Sequence, residues 1–252
     1  MFSNKYIFTY ASVMVILVAA ILSSASMLLK PYQEANVKAE KIQGILASAS
    51  VETNRDDAQK TYQRYVVEEL AVDAEGNVVS LYRNDSLIEG KVRPFDIDIK
   101  QALALKQSAE TGESKETAVW PIFILDKDGE RFYIVPLRGV GLWGPIWGNI
   151  AFKSDFNTIA GATFDHKGET PGLGAEINTP RFEDEFKGKT IFNEQGEFVS
   201  VNVVKGGAEP NAPHAVDAVS GGTITSNGVK DMLLNGLDNY VPYIKKNINN
   251  VK

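Results

Sequence analysis

Between Tyr6 and Leu29 the chain runs 24 residues without a charged side chain. A helix rises 1.5 Å per residue, so about 20 apolar residues cross the hydrocarbon of a bilayer. The run Val13-Met14-Val15-Ile16-Leu17-Val18-Ala19-Ala20-Ile21-Leu22 forms the centre, and the polar members of the stretch are only Thr, Ser and Tyr. A cleaved signal peptide would have a shorter apolar core and a small-x-small cleavage site. Ser23-Ser24-Ala25 only imitates such a site, and Met27-Leu28-Leu29 carries the apolar stretch past it. The expectation is a retained single span within residues 1–30, with the rest of the chain folding outside the bilayer. Lys5 precedes the span and Lys30, Lys38 and Lys41 follow it, a count that leans towards a cytoplasmic bulk. Long domains can cross regardless of local charge, so the lysines do not fix the side.

At 252 residues the chain can hold one large domain or two small ones around a real core. Its net charge of −6 argues against nucleic acid, whose phosphates call for a basic patch. Zero cysteines exclude thiol catalysis, disulfides and Cys-ligated zinc or iron–sulfur clusters. Two histidines, His166 and His214, leave too few ligands for a transition-metal site.

Residues 31–60 are charged and alanine-rich, with Val37, Ile42, Ile45 and Leu46 recurring loosely, which reads as a juxtamembrane helix or a solvated spacer. Residues 61–252 then read as an α+β region built on antiparallel hairpins and a C-terminal helix. In the first hairpin, Tyr62 to Leu81, Ala74-Glu75-Gly76-Asn77 turns between Val66, Val67, Leu70, Val72 and Val78, Val79, Leu81. Pro94 to Ser114 holds a helix around Ile97–Leu105, closed by Thr111-Gly112. A second hairpin pairs Ala118–Leu125 with Arg131–Leu137 through Asp126-Lys127-Asp128-Gly129. That turn lacks the twelve-residue acidic ladder of a calcium loop. Further strand is expected from Gly148 to Phe164, burying Ile150, Phe152, Ile159 and Phe164. Pro180–Phe186 reads as a short helix with a solvated acidic face, and Phe198–Val204 as a strand. Met232, Leu233, Leu237, Tyr240 and Tyr243 line an amphipathic final helix.

Three stretches carry the chemistry. Asp217-Ala218-Val219-Ser220-Gly221-Gly222-Thr223-Ile224-Thr225-Ser226 sets two glycines among hydroxyls, with Ser226 as the expected N-cap of a helix starting at Asn227. Free N–H groups and the positive dipole end of such a helix favour a phosphate, though a plain glycine turn before a capped helix fits the same letters. This stretch holds no Gly-Lys-Ser/Thr run, so it is not a nucleotide P-loop. His166-Lys167-Gly168-Glu169-Thr170-Pro171-Gly172-Leu173-Gly174 offers backbone N–H groups, a hydroxyl and close approach. Gly139-Val140-Gly141-Leu142-Trp143-Gly144-Pro145-Ile146-Trp147-Gly148 places two tryptophans among four glycines, either as a wall for a flat heterocycle or as core packing.

Asp217-x-x-Ser220-Gly221-Gly222-Thr223 resembles the flavin-attachment motif of FMN-binding domains. These occur in the C subunit of sodium-translocating NADH:quinone reductases, which the chain resembles best, and in the related G subunit of Rnf complexes. The Glu-Thr-Pro-Gly-Leu-Gly and Gly-Leu-Trp-Gly-Pro stretches resemble the same family in the same order, behind one membrane segment. Gly222 stands where the family usually has Ala. The resemblance implies an FMN-binding domain over about residues 118–245, with FMN joined through its phosphate to Thr223 and Thr225 as the rival acceptor. It implies a phosphate seat of Ser220, Gly221, Gly222, Thr225 and Ser226, and a ring pocket of Glu169, Thr170, Gly172, Leu173 and Gly174 with Trp143. It further implies an electron-carrying subunit of an inner-membrane, sodium-translocating NADH:quinone reductase (ubiquinone or menaquinone), with its bulk on the periplasmic side. Partner subunits and a flavin transferase using FAD and magnesium belong to the same expectation. NADH is expected to bind elsewhere in the assembly, and the span has no acidic residue to carry sodium. Two other readings stand beside it: a membrane-anchored binding module with the glycine loops as mere turns, and a hydrolase using Ser220 and His214.

Overall fold

The computed structural model describes residues 3–113 and 116–248. Contacts divide the chain into two compact units, Met1–Lys41 and Ile42–Lys252. Most of helix α1 (Asn4–Ser48) makes up the first unit, and it reaches a mean hydropathy of 2.4 over its best 18-residue window. Its apolar side chains from Tyr6 to Leu29 are exposed in the protein, as lipid contact requires. Among the described residues it is the one helix long and apolar enough to cross a membrane.

The juxtamembrane helix expected to reach about Lys60 stops at Ser48. Ser50 turns left-handed (φ +57°), its N–H bonds to Ala47 O, and the Val51 N–H bonds back to Leu46 O at 3.0 Å. This closes the helix with a Schellman pattern in which serine replaces the usual glycine. A separate helix, α2 (Ala58–Tyr65), leads into the sheet.

The second unit is α+β, as expected of the fold class, and takes in Ile42–Lys252 rather than starting at residue 61. Its sheet has seven strands, β1 (Val66–Val72), β2 (Val78–Arg83), β3 (Ser86–Glu89), β4 (Trp120–Lys127), β5 (Glu130–Val140), β6 (Pro145–Phe152) and β7 (Ile159–His166). Their order is β3-β2-β1-β4-β5-β6-β7, every neighbour antiparallel. Both hairpins read from the sequence are present. β3 is an addition to that reading; it returns from β2 through Asn84-Asp85, both at positive φ, the type I′ geometry that suits a two-residue turn. At the second hairpin the Asp126 carboxylate accepts the Gly129 N–H at 3.1 Å, so that side chain serves the turn.

Side chains alternate across a strand, and burial divides accordingly. Ile122, Ile124, Val135, Leu137, Ile146, Ile150 and Phe152 face the main core. That core is completed by α3 (Ile99–Glu110), α5 (Thr223–Asp238) and α6 (Val241–Asn247). Phe123, Leu125, Ile134 and Ala151, of opposite parity, are equally buried on the other face. There the Thr163 hydroxyl donates to Gly44 O at 3.1 Å, and Tyr62, Phe95 and Phe123 meet edge to face. The central strands are thus covered on both faces, while β2 and β3 form a largely exposed edge. The helix expected around Ile97–Leu105 is α3, with Asp98 accepting the Lys100 N–H as its N-cap, and Ser114 lies outside the described residues.

Three local expectations change. The 198–204 strand shrinks to β8 (Asn202–Val204) because Ser200 is left-handed (φ +60°). β8 pairs in parallel with β9 (Ala215–Asp217). Pro180–Phe186 is helical, as α4 (Pro180–Glu183) and a 3₁₀ turn, but its acidic face is only partly solvated: Asp184 is exposed, while Glu183 and Glu185 are half-buried. Glu183 accepts the Phe164 N–H on the β7 edge, and Glu185 accepts the Asp217 N–H, each at 2.7 Å. The final helix, whose expected apolar residues are all buried, is two helices meeting at Asn239-Tyr240.

Candidate functional site

Helix α5 begins at Thr223, four residues before the expected start, and Ser226 is not its cap. Gly222 is the N-cap, and its carbonyl accepts the first helical bond from Ser226 N–H at 2.8 Å. Gly221 is left-handed (φ +73°), and the Gly222 N–H bonds to Val219 O. No side chain caps the helix, and Ser226 Oγ instead accepts the Val219 N–H at 3.1 Å, bracing the glycine turn. The N–H groups of the first turn of α5 have no intrahelical acceptor and carry the positive end of the dipole.

The three motif stretches converge. Leu173 lies over Gly221, where a Cβ would meet Leu173 Cδ2 at 2.5 Å. A Cβ on Gly222 would stand 3.2 Å from Gly174 N and Cα, so the two loops touch backbone to backbone. The close approach of α5 to the end of β5 depends on Gly228, where a Cβ would strike the Val140 carbonyl. The Thr170 carbonyl accepts N–H groups from Leu173 and Ala175, and Gly172 (φ +75°) donates to Glu176 Oε1 at 3.0 Å.

Gly139, Gly141 and Gly144 have the Gly-x-Gly-x-x-Gly spacing of a dinucleotide fingerprint. That fingerprint works by opening a helix after a parallel strand. Here the same glycines end β5 and turn into the antiparallel β6, with the Gly141 N–H on Gly144 O at 2.8 Å, so no helix N-terminus faces a pyrophosphate.

Glu169 joins the three stretches. It is 5% exposed, accepts the Trp143 N–H on Oε1 at 2.8 Å, and accepts the Thr225 hydroxyl on Oε2 at 2.6 Å. Its own N–H donates to His166 Nδ1 at 3.1 Å. His166, the last residue of β7, is thus a loop anchor rather than a candidate ligand.

The two threonines stand apart in accessibility. Thr225 is 1% exposed and its hydroxyl is committed to Glu169. Thr223 is half-buried, and among the described interactions its side-chain oxygen has no partner. Of the other expected seat residues, Ser220 and Gly221 are exposed while Gly222 and Ser226 are buried. Thr170, Gly172 and Leu173 are exposed, and Gly174 is buried.

Trp143 is 66% exposed and Trp147 half-buried, which overturns core packing for Trp143. The core tryptophan is Trp120, edge-on to Tyr240. Sequence reasoning missed Leu142 and Ile224, exposed beside Trp143 and Thr223, because single apolar residues in a turn or at a helix start carry no periodic signal. It also missed Gly141, where a Cβ would come 2.6 Å from Glu169 Oε1. Ser220 and His214 form no hydrogen bond; the His214 ring nitrogen is held on the Thr190 carbonyl at 2.6 Å. The hydrolase reading therefore lacks its base.

These observations fit a phosphorylated flat cofactor: a free hydroxyl, open first-turn N–H groups, glycine-lined backbone and exposed Leu142, Trp143, Leu173 and Ile224 at one place. Residues 141–238 match the FMN-binding domain family. The chain is similar to the Na(+)-translocating NADH-quinone reductase C subunit of Vibrio alginolyticus, 31% identical over 83% of this chain and 81% of that one. The C subunit of Haemophilus ducreyi is 32% identical over 90% and 87%. Among solved structures, the C subunit of Parabacteroides distasonis is 41% identical with a TM-score of 0.69, covering 86% of this chain and 96% of that one.

Proposed function

The chain belongs to the C-subunit family of the Na(+)-translocating NADH-quinone reductase, and on that premise we propose that Thr223 carries FMN through a phosphoester. The protein is then the membrane-anchored electron carrier of that complex, working between partner subunits. The observation that carries the residue assignment is the division of labour between two hydroxyls. Thr225 is buried on Glu169, whereas Thr223 opens the helix with its hydroxyl unengaged.

Bound FMN supplies one-electron chemistry, which no side chain here provides. The chain's own part is attachment, orientation and electrostatics. The first turn of α5, set up by the Ser220-Gly221-Gly222 turn, directs N–H groups and dipole at the phosphate, which offsets its negative charge. Ser226 holds that turn from behind through Val219. Leu173 and Trp143 offer apolar surface to the ring, while Glu169, Thr170, Gly172 and Gly174 shape the loop beside it. A phosphoester removes dissociation, so a site with exposed walls can still retain its cofactor.

Maturation needs a flavin transferase that takes FMN from FAD with magnesium. The bulk of the chain sits on the periplasmic side of the inner membrane; protease digestion of intact spheroplasts tests this, since a resistant domain means a cytoplasmic location. For the attachment, protein co-produced with the transferase is resolved on a denaturing gel and by mass spectrometry. Thr223→Ala abolishes ultraviolet fluorescence and the FMN mass, and Thr225→Ala keeps both. Covalent FMN on the Thr223→Ala protein refutes the assignment, and colourless wild-type protein favours a binding module without flavin.

A further inference from the structure

Glu169 holds its carboxyl group inside the protein with no cationic side chain paired to it among the described residues. Both oxygens act as acceptors, from the Trp143 N–H and the Thr225 hydroxyl, so neither needs a proton to satisfy its neighbours. Gly141 and Gly174 crowd it from two sides, and a Cβ on either would come 2.6 Å from Oε1 or Oε2 respectively. Two hydrogen bonds disperse the charge but do not cancel it.

We propose that Glu169 is a positioning residue that fixes Trp143 against the first turn of α5 and, by its uncompensated charge, lowers the potential at which the flavin accepts an electron. The proposal rests on attachment at Thr223, two residues before the hydroxyl that Glu169 holds. An electron entering the ring adds negative charge unless a proton from solvent follows it. A carboxylate that lay about 10 Å from that charge would, at an effective dielectric constant near 20, bias the oxidised-to-reduced ratio roughly tenfold. Tenfold corresponds to about 59 mV for a one-electron step.

The two roles separate because glutamine has the shape of glutamate. In Glu169→Gln the side-chain oxygen still accepts from Trp143, and its amide donates to the Thr225 oxygen, which accepts as readily as it donates. Glu169→Ala removes both bonds. Hydrogen exchange is read first on full-length protein made without the transferase, so this arm is independent of where flavin attaches. The Trp143 amide is protected in wild type and in Glu169→Gln and exchanges at least about tenfold faster in Glu169→Ala, the loss of one charge-assisted bond. Protection unchanged in Glu169→Ala overturns the positioning role.

Potentiometric titration of the flavinylated proteins follows, with FMN content fixed by mass spectrometry. Glu169→Gln favours the reduced flavin about tenfold over wild type. An unchanged or lowered potential overturns the charge role, as does a Glu169→Gln protein that keeps Trp143 protected yet takes up no FMN. If instead Thr223→Ala retains flavin, the attachment reading fails while the exchange result still decides the positioning role.

Discussion

Replacing Gly174 with alanine tests whether the contact between the two loops is as tight as it looks. The new Cβ would collide with Thr225 Oγ1 and lie 2.6 Å from Glu169 Oε2, about an ångström inside ordinary contact. Neither neighbour can retreat, since both are buried and hydrogen-bonded to each other. Overpacking a filled interior costs about 1–3 kcal/mol. Separating Thr225 from the carboxylate adds about 1.5–3 kcal/mol for a hydrogen bond to a charged group. The two overlap, so a net loss of about 3 kcal/mol is expected. For a domain of this size that lowers Tm by roughly 6–12 °C, read by far-ultraviolet circular dichroism on detergent-solubilised protein. Thr225→Ala removes the atom struck first, so the double variant should lose at least about 1 kcal/mol less than the sum of the singles. A Gly174→Ala protein melting within about 2 °C of wild type, or strict additivity in the double variant, refutes the reasoning.

Arg93→Ala strands Glu69, which is 2% exposed and takes guanidinium bonds from Arg93 through both Nε and Nη2. A loss of about 3–5 kcal/mol is expected in denaturant titration, and less than about 1 kcal/mol would show that solvent reaches the carboxylate. The Glu183 carboxyl is held above its ordinary pKa, chiefly by burial, with the Phe164 N–H opposing. The folded state then holds the proton more tightly than the unfolded one, so this group's contribution falls as pH rises from the ordinary carboxylate value through the raised one. Glu183→Gln should remove that slope and raise Tm at neutral but not acid pH; an unchanged pH–Tm curve contradicts it. Gly76 is left-handed (φ +77°) and packs against the Pro242-Tyr243 backbone, so Gly76→Ala should cost more than about 2 kcal/mol by the same denaturant assay.

Periodicity and turn chemistry account for what is legible in the sequence. Alternating apolar residues around Asp126–Gly129 and Ala74–Asn77 specify hairpins locally, and both are present. The uncharged stretch from Tyr6 to Leu29 depends on no tertiary contact at all. By contrast, β3 pairs four exposed residues, so no burial pattern announces it, and only Asn84-Asp85 could do so. The helix start is hidden because Ser226 has capping chemistry, and a glycine N-cap leaves no side-chain trace. At the site, the motifs show the glycines and hydroxyls but not their relations. That Glu169 meets both Trp143 and Thr225 is a long-range fact, 26 and 56 residues apart in sequence. Glu183 and Glu185 look solvated for the same reason: their partners, Phe164 and Asp217, come from distant strands.

The spacing of Thr223 and Thr225 achieves what neither residue could alone. An α-helix advances about 100° per residue, so side chains two apart emerge on nearly opposite sides of the cylinder. One alcohol is thereby knitted into the interior while the other is displayed outward, from a single opening turn. Helical phase thus sorts two like alcohols by environment: one is held inside on a carboxylate, and the other stays within reach of solvent beside the exposed Ile224.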